Sequence, residues 1–233
     1  MSLSPDIKNT KMLLTIPASL TYRTKQAMVY HTLREAIMQV HIEPGAHLVI
    51  DDIAKQLQVS PIPVREALQL LQSERLVEHR AHIGAVVAPI TSESTREIFA
   101  LLEALESATF RLAIEHVTAT DLTHLTALNE SMAAGAGDHE KWMSANLEFH
   151  RACAEIARMP RALDMLARVS GDWERLRRHC YHQAGTPDTA AAHRDHRALI
   201  KALGTKDGAR LEVLVREHNR NSLNFYLKSS TKA

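Results

Sequence analysis

Apolar residues recur along the chain in two rhythms. From Lys25 the positions Met28, Val29, Leu33, Ile37 and Val40 fall three or four apart, and the pattern stops at Pro44-Gly45. This spacing predicts a first helix followed by a turn. After a short extended segment, Ala46 to Val49, Asp51 is placed to cap a second helix with Ile53, Ala54 and Leu57 on its apolar side and an end near Val59. Ser60 is placed to cap a third, lined by Val64, Ala67, Leu68 and Leu71 and ending near Ser73. The runs Leu76 to His79 and Ala85 to Val87, separated by Arg80-Ala81-His82-Ile83-Gly84, then read as strand, turn, strand. Three helices and a hairpin in this order predict a winged helix-turn-helix.

Pro89 and the hydroxyl cluster from Thr91 to Thr95 interrupt the pattern, and Ser94 with Glu97 has the spacing of a capping box. Beyond it the period stays near that of a helix. Ile98, Leu101, Leu102, Leu105, Ala108, Leu112 and Ile114 mark a long helix, and Leu122, Leu125 and Leu128 a second, opened by Thr120-Asp121. Further helices are expected over 140–158, 161–182, 188–203 and 206–226, separated by Pro160, Gly185 with Pro187, and Gly204. The expected architecture is mainly α: a flexible N-terminal arm over 1–22, a winged helix-turn-helix over 23–88, a linker over 89–94, and an all-helical bundle of about six helices over 95–230.

Composition narrows the function without naming it. The chain has 233 residues, 45% apolar and 24% charged, which suits a soluble folded protein and excludes a disordered one. No apolar run approaches the roughly 20 residues a membrane helix needs, and no cationic start precedes an apolar stretch, so a cytoplasmic protein without membrane partners is expected. The two cysteines, Cys153 and Cys180, read as free thiols. Net charge is +1, and the residues before position 90 carry 9 basic against 8 acidic side chains. Any nucleic-acid function must therefore come from local arrangement and not from a basic domain. Histidine is the outlier, with 14 residues.

A helix-turn-helix sets its second helix in the DNA major groove, where side chains of the N-terminal turns meet base edges. Here that helix begins Ser60-Pro61-Ile62-Pro63-Val64-Arg65-Glu66. Arg65 is the one cation on its first turns, and a guanidinium can fork onto the O6 and N7 acceptors of guanine. Arg34, Lys55 and Ser60 are candidates for phosphate, and the turn at His82 and Gly84 for the minor groove or the backbone. The bland alternative is that Arg65 pairs with Glu66 or Glu35 on a solvated face. The runs Leu33 to Ile37, I-E-P-G-A-H-L, D-D-I-A-K-Q-L-Q-V-S, P-V-R-E-A-L and L-V-E-H-R-A-H-I-G-A-V-V, over 25–88, resemble the DNA-binding domain of the GntR family of bacterial transcription regulators. The resemblance implies a dimer on an inverted-repeat operator, contacted by Arg34, Arg65 and the wing turn. Pro61 stands where the family usually has an arginine, and Gln69 and Arg75 replace a common basic residue and a common glycine. Operator sequence is therefore not carried over.

In the second half, Asn146 and His150 lie four apart and project from one helical face. With His196 and His218 on two later helices they form a candidate set for zinc, nickel or manganese, if the helices bring them together. Solvated or packed histidines are the plain alternative. A helical domain after a GntR reader, with this N-x-x-x-H and two later histidines, resembles the FCD subgroup of that family. The resemblance implies that Asn146, His150, His196 and His218 are metal ligands, and that a small organic acid, a carboxylate metabolite, binds near the metal as effector. In the family an arginine on the first long helix assists; the matching position here is Leu102, which leaves Arg111 and Arg175 as weaker effector candidates. His193 is expected to be exposed, and Trp173 and Leu176 to pack in the core. The Leu101 to Ile114 stripe is a candidate for self-association. The expected protein is thus an effector-responsive repressor or activator and not an enzyme. A metal-dependent hydrolase with an appended winged helix is the alternative, and the Asn/His set shows no carboxylate to activate water.

Overall fold

The structure is a computed structural model, and it describes residues 14, 24–135, 137–184 and 189–230. The arm expected over 1–22 lies, apart from Leu14, outside the described residues. The chain divides into two compact units, 1–89 and 90–233.

In the first unit α1 spans Lys25–Met38, and the Thr24 hydroxyl caps it by accepting from Ala27 N at 3.0 Å. The second helix, α2, spans Ile50–Gln56 with Val49 at its N-cap, so Asp51 lies inside the first turn instead of capping it. There, with Asp52, it still opposes the positive end of the helix dipole. The third helix, α3, spans Pro61–Ser73 with Ser60 at the N-cap and Pro61 at its first position, where a missing N–H breaks no helical bond. Strands β1 (Val77–Arg80) and β2 (Gly84–Val87) pair antiparallel with Val77 opposite Val87. The 46–48 segment lies along the other edge of β2, with Leu48 N donating to Ala85 O and Val87 N to Ala46 O, both at 2.8 Å. The core is built from Leu33, Ile37, Leu48, Ile53, Val64 and Leu71, all nearly or fully shielded from solvent. Truncating one of these, as in Leu71→Ala, is expected to cost about 2–5 kcal/mol. This unit is a winged helix-turn-helix.

The second unit contains α4 (Ser92–His116), α5 (Ala119–Ala134), α6 (His139–Ile156), α7 (Pro160–Ala184), α8 (Thr189–Gly204) and α9 (Gly208–Ser230). These are the six helices among the described residues, as the period predicts. The expected Ser94–Glu97 capping box is replaced by one between Thr91 and Ser94, so α4 begins at Ser92, inside the stretch read as linker. A Thr118–Asp121 box opens α5 in the same way. Both boxes satisfy amide donors that the helical ladder leaves open. Phe110, Leu125, Phe149, Leu176, Leu199 and Leu203 form the apolar centre. Polar and charged side chains are buried with them, among them Glu106, Asn146, Arg177, His196, His218 and Asn219. Cys153 and Cys180 are free and buried. No helix among the described residues is long and apolar enough to cross a membrane.

Candidate functional site

The first unit presents its chemistry outward. Arg65 and Lys55 are exposed, and Ile62, one turn before Arg65 on α3, is 67% exposed. Ile62 was not singled out in the sequence, although its exposure on the leading turn is unusual for so apolar a side chain. Ser60 is exposed and makes no capping bond with its own hydroxyl. Pro61 and Pro63 remove two of the amide donors that a helix N-terminus would offer to a phosphate. His82, with φ +63°, lies in the tight connection between β1 and β2, and Gly84, with φ +96°, is the first residue of β2. Only glycine takes φ near +96° without strain, whereas His82 sits in the small left-handed well.

Arg34 is not grouped with these. Its Nε lies 3.0 Å from Oε2 of Glu74, the C-cap residue of α3, and the other Glu74 oxygen accepts from the Tyr30 hydroxyl. Glu74 follows Arg65 by nine positions, about 14 Å of helix rise. The Glu74 carboxylate therefore holds Arg34 at the opposite end of α3 from Arg65.

The second unit gathers its chemistry inside. His150 on α6, His196 on α8 and His218 on α9 converge, with one nitrogen from each within 4.8 Å of the others. Ring centroids are 5.2 Å apart for His150 and His196 and 4.8 Å for His196 and His218. Asn146 is buried one turn before His150 on the same face of α6. Both ring nitrogens of His196 are buried without a hydrogen-bond partner among the described residues. Burial, and after it the imidazoles of His218 and His150, push the His196 pKa well below the usual value. The ring is therefore neutral, the form that offers a lone pair. Three imidazoles with a carbonyl oxygen beside them suit a borderline dication, and the orphaned His196 nitrogens are what such a site leaves open.

Two carboxylates flank this cluster. Oε1 of Glu106, on α4, is 2.9 Å from His150 Nδ1, and its Oε2 accepts from Asn219 Nδ2 at 2.7 Å. Asp195 Oδ2 lies 3.4 Å from His218 Nδ1. Burial alone would raise the Glu106 pKa, but His150, His218 and the Asn219 amide hold it below the usual carboxylate value. Carboxylates on the far nitrogens of metal-binding imidazoles fix ring orientation and tautomer. The expectation that the set has no acid nearby is thus corrected by Glu106. Its signal was a charge on the apolar row Leu102, Glu106, Phe110, each four apart.

His150, His218, Asn146 and Glu106 line a cavity of about 200 Å³, room for a small metabolite. Leu102 is in its wall. Of the two arginines expected near an effector, Arg111 is exposed and borders a separate groove with Gly208 and Glu212, while Arg175 is buried but absent from the cavity wall. Arg177 is in that wall instead. Two residues along a helix turn a side chain about 200° around the axis, so Arg175 and Arg177 cannot share a face. Trp173 packs in the core as expected and also lines the cavity, beside Trp142. His193 is half-buried and bonded through Nδ1 to Asn129 at 3.0 Å, so it is neither fully exposed nor one of the converging histidines.

Comparison with known proteins agrees with both halves. The profile of bacterial regulatory proteins of the gntR family matches residues 25–87, and that of the FCD domain matches 97–221. The HTH-type transcriptional regulator McbR of Escherichia coli is 30% identical over 171 residues, covering 71% of this chain and 76% of McbR. An uncharacterized HTH-type regulator, BphR of Paraburkholderia xenovorans, is 27% identical over 203 residues, 83% of this chain and 82% of its own. The solved structure of E. coli McbR/YncC superposes with a TM-score of 0.68 at 24% identity, covering 90% of this chain and 100% of that one, which speaks for the fold. The chain belongs to the GntR family of bacterial DNA-binding transcription regulators, with an FCD domain as its second unit.

Proposed function

We propose that the protein is a cytoplasmic, homodimeric, effector-responsive regulator that binds an inverted-repeat operator. Arg65 reads guanine in the major groove, and Ile62 beside it meets a thymine methyl, the apolar feature of that groove. Ser60, Lys55 and the His82–Gly84 turn take the phosphate backbone. Arg34 contacts phosphate in competition with Glu74, so its share of affinity is smaller.

In the helical unit His150, His196 and His218 supply three nitrogen donors and Asn146 an oxygen donor to a zinc, nickel or manganese ion. The ion, when bound, offers a Lewis-acidic point for an oxygen of the effector. Glu106 and Asp195 orient His150 and His218. A small metabolite with a carboxylate occupies the adjoining cavity, and it changes DNA affinity to the extent that it binds the DNA-competent and incompetent states unequally.

The observation that carries this reading is the pairing, in one chain, of an outward-facing Arg65 on a recognition helix with a closed histidine trio of which His150 and His218 line a cavity. Binding to the protein's own promoter and to random duplex at physiological salt tests it. Preference for the promoter is expected, and equal affinity overturns the reading. The hydrolase alternative has one observation in its favour, the nearby Glu106. Both oxygens of that carboxylate are already engaged, by His150 and Asn219, so it acts as a positioning group and not as a free base. Turnover that is lost on chelation would restore the alternative.

A further inference from the structure

The cavity is long, and its two ends differ chemically. On α6, Trp142, Asn146 and His150 follow at four-residue steps, and on α9, His218, Ser222 and Tyr226 do the same; all six line the cavity. Eight residues of helix rise about 12 Å, so the Trp142 and Tyr226 end stands that far from the histidines along both helices. Arg177, from α7, belongs to the far end: its guanidinium carbon is 3.9 Å over the Trp142 ring and 5.6 Å from that of Trp173.

Arg177 is only 2% exposed, yet no carboxylate pairs with it among the described residues. Glu140, an acid close enough to influence it, is held through both oxygens by Arg178. Tyr226 shares the guanidinium, but burial lifts its pKa to about 12, so it is a neutral phenol and not a counter-ion. The Trp142 ring steadies the cation through its π face without neutralising it. Arg177 Nε and Trp142 Nε1 are both buried donors with no acceptor among the described residues. A buried charge without a partner is costly, and two unused donors at one place ask for an anionic acceptor.

We propose that this end of the cavity is an anion subsite, in which Arg177 and Trp142 Nε1 receive one carboxylate of an elongated dicarboxylate whose second oxygen-bearing end faces the histidines. The proposal rests on the regulator reading and assigns the effector's chemical class. It also accounts for Leu102: the cation comes from α7, so α4 need not supply one.

The chain has two tryptophans, and both flank Arg177, so selectively excited tryptophan fluorescence reports on this subsite. The probe is suberate, set against its neutral diamide, octanediamide, on the unaltered metal-loaded protein. A saturable change in emission with suberate, at least tenfold tighter than with the diamide, is expected. Arg177→Lys should weaken suberate several-fold and Arg177→Met at least tenfold, and Arg177→Met should largely abolish the preference for suberate over the diamide. Equal affinity for the two probes, no saturable response to suberate, or full suberate affinity in a folded Arg177→Met protein overturns the subsite. Promoter binding is measured separately. Its loss would overturn the regulator reading and leave the fluorescence result to decide the subsite, and failure of suberate discrimination would leave promoter preference intact.

Discussion

The two units treat polar side chains in opposite ways. Among the described residues Thr32 is the one buried polar side chain of the first unit, whereas the second buries Glu106, Asn129, Arg177, His196, His218 and Asn219, among others. In the reader an apolar core serves as a platform, and the chemistry stands outside it, so function and stability are carried by different residues. In the helical unit the residues proposed to meet the ligand also fill the interior, so there function and stability should be coupled. A substitution at the binding surface of the first unit should be quiet in a melt and loud on DNA. One in the second should be heard in both.

Metal removal probes that contrast most strongly. With the ion at roughly a thousandfold its Kd, the proposed binding should add about 4 kcal/mol of apparent stability, which chelation should abolish in a melt. His196→Ala should give the same loss together with empty elemental analysis; full metal occupancy in that variant would remove His196 from the ligand set. Next, Glu106→Leu takes the carboxylate from beside His150 Nδ1 and one of the two acceptors from the Asn219 amide, at a cost of about 1–3 kcal/mol. A urea midpoint unchanged from the parent would mean that this carboxylate is not holding the interior together. On the other side of the comparison, Arg65→Ala should erase about 1–3 kcal/mol of sequence preference while moving folding stability by less than about 0.5 kcal/mol. An unaltered footprint would reassign the base contact. Smallest is Arg34→Ala, which should weaken all duplexes alike and flatten the salt dependence by about one unit at most. Because Glu74 competes for that guanidinium at an exposed pair worth about 0–1 kcal/mol, Glu74→Gln should strengthen DNA binding slightly, as read by anisotropy over a salt series.

The reader was almost wholly legible in the sequence because its signals are local. Pro44-Gly45, Ser60-Pro61 and Gly84 mark turns and helix starts whose backbone needs are set by the residues themselves. The miss at Asp51 is instructive: a carboxylate suits a helix N-terminus both as cap and within the first turn, so sequence alone does not choose between them. In the helical unit, period announced six helices and placed Asn146 with His150 on one face. It did not reveal that His196 and His218, 46 and 22 residues further along in turn, would meet them, since periodicity describes faces and not which faces touch. Arg175 and Arg177 show the same limit at closer range. Both lie on α7 near Trp173, and the cavity's position, known only from packing, decides which of them it includes.

Glu106 has one further consequence. Its two oxygens tie α4 to α6 through His150 and to α9 through Asn219, so three helices share a single acidic joint. Because α4 is the stretch the chain enters directly after residue 90, a ligand that turned His150 would, under the proposed mechanism, act on the helix that follows the reader in the chain.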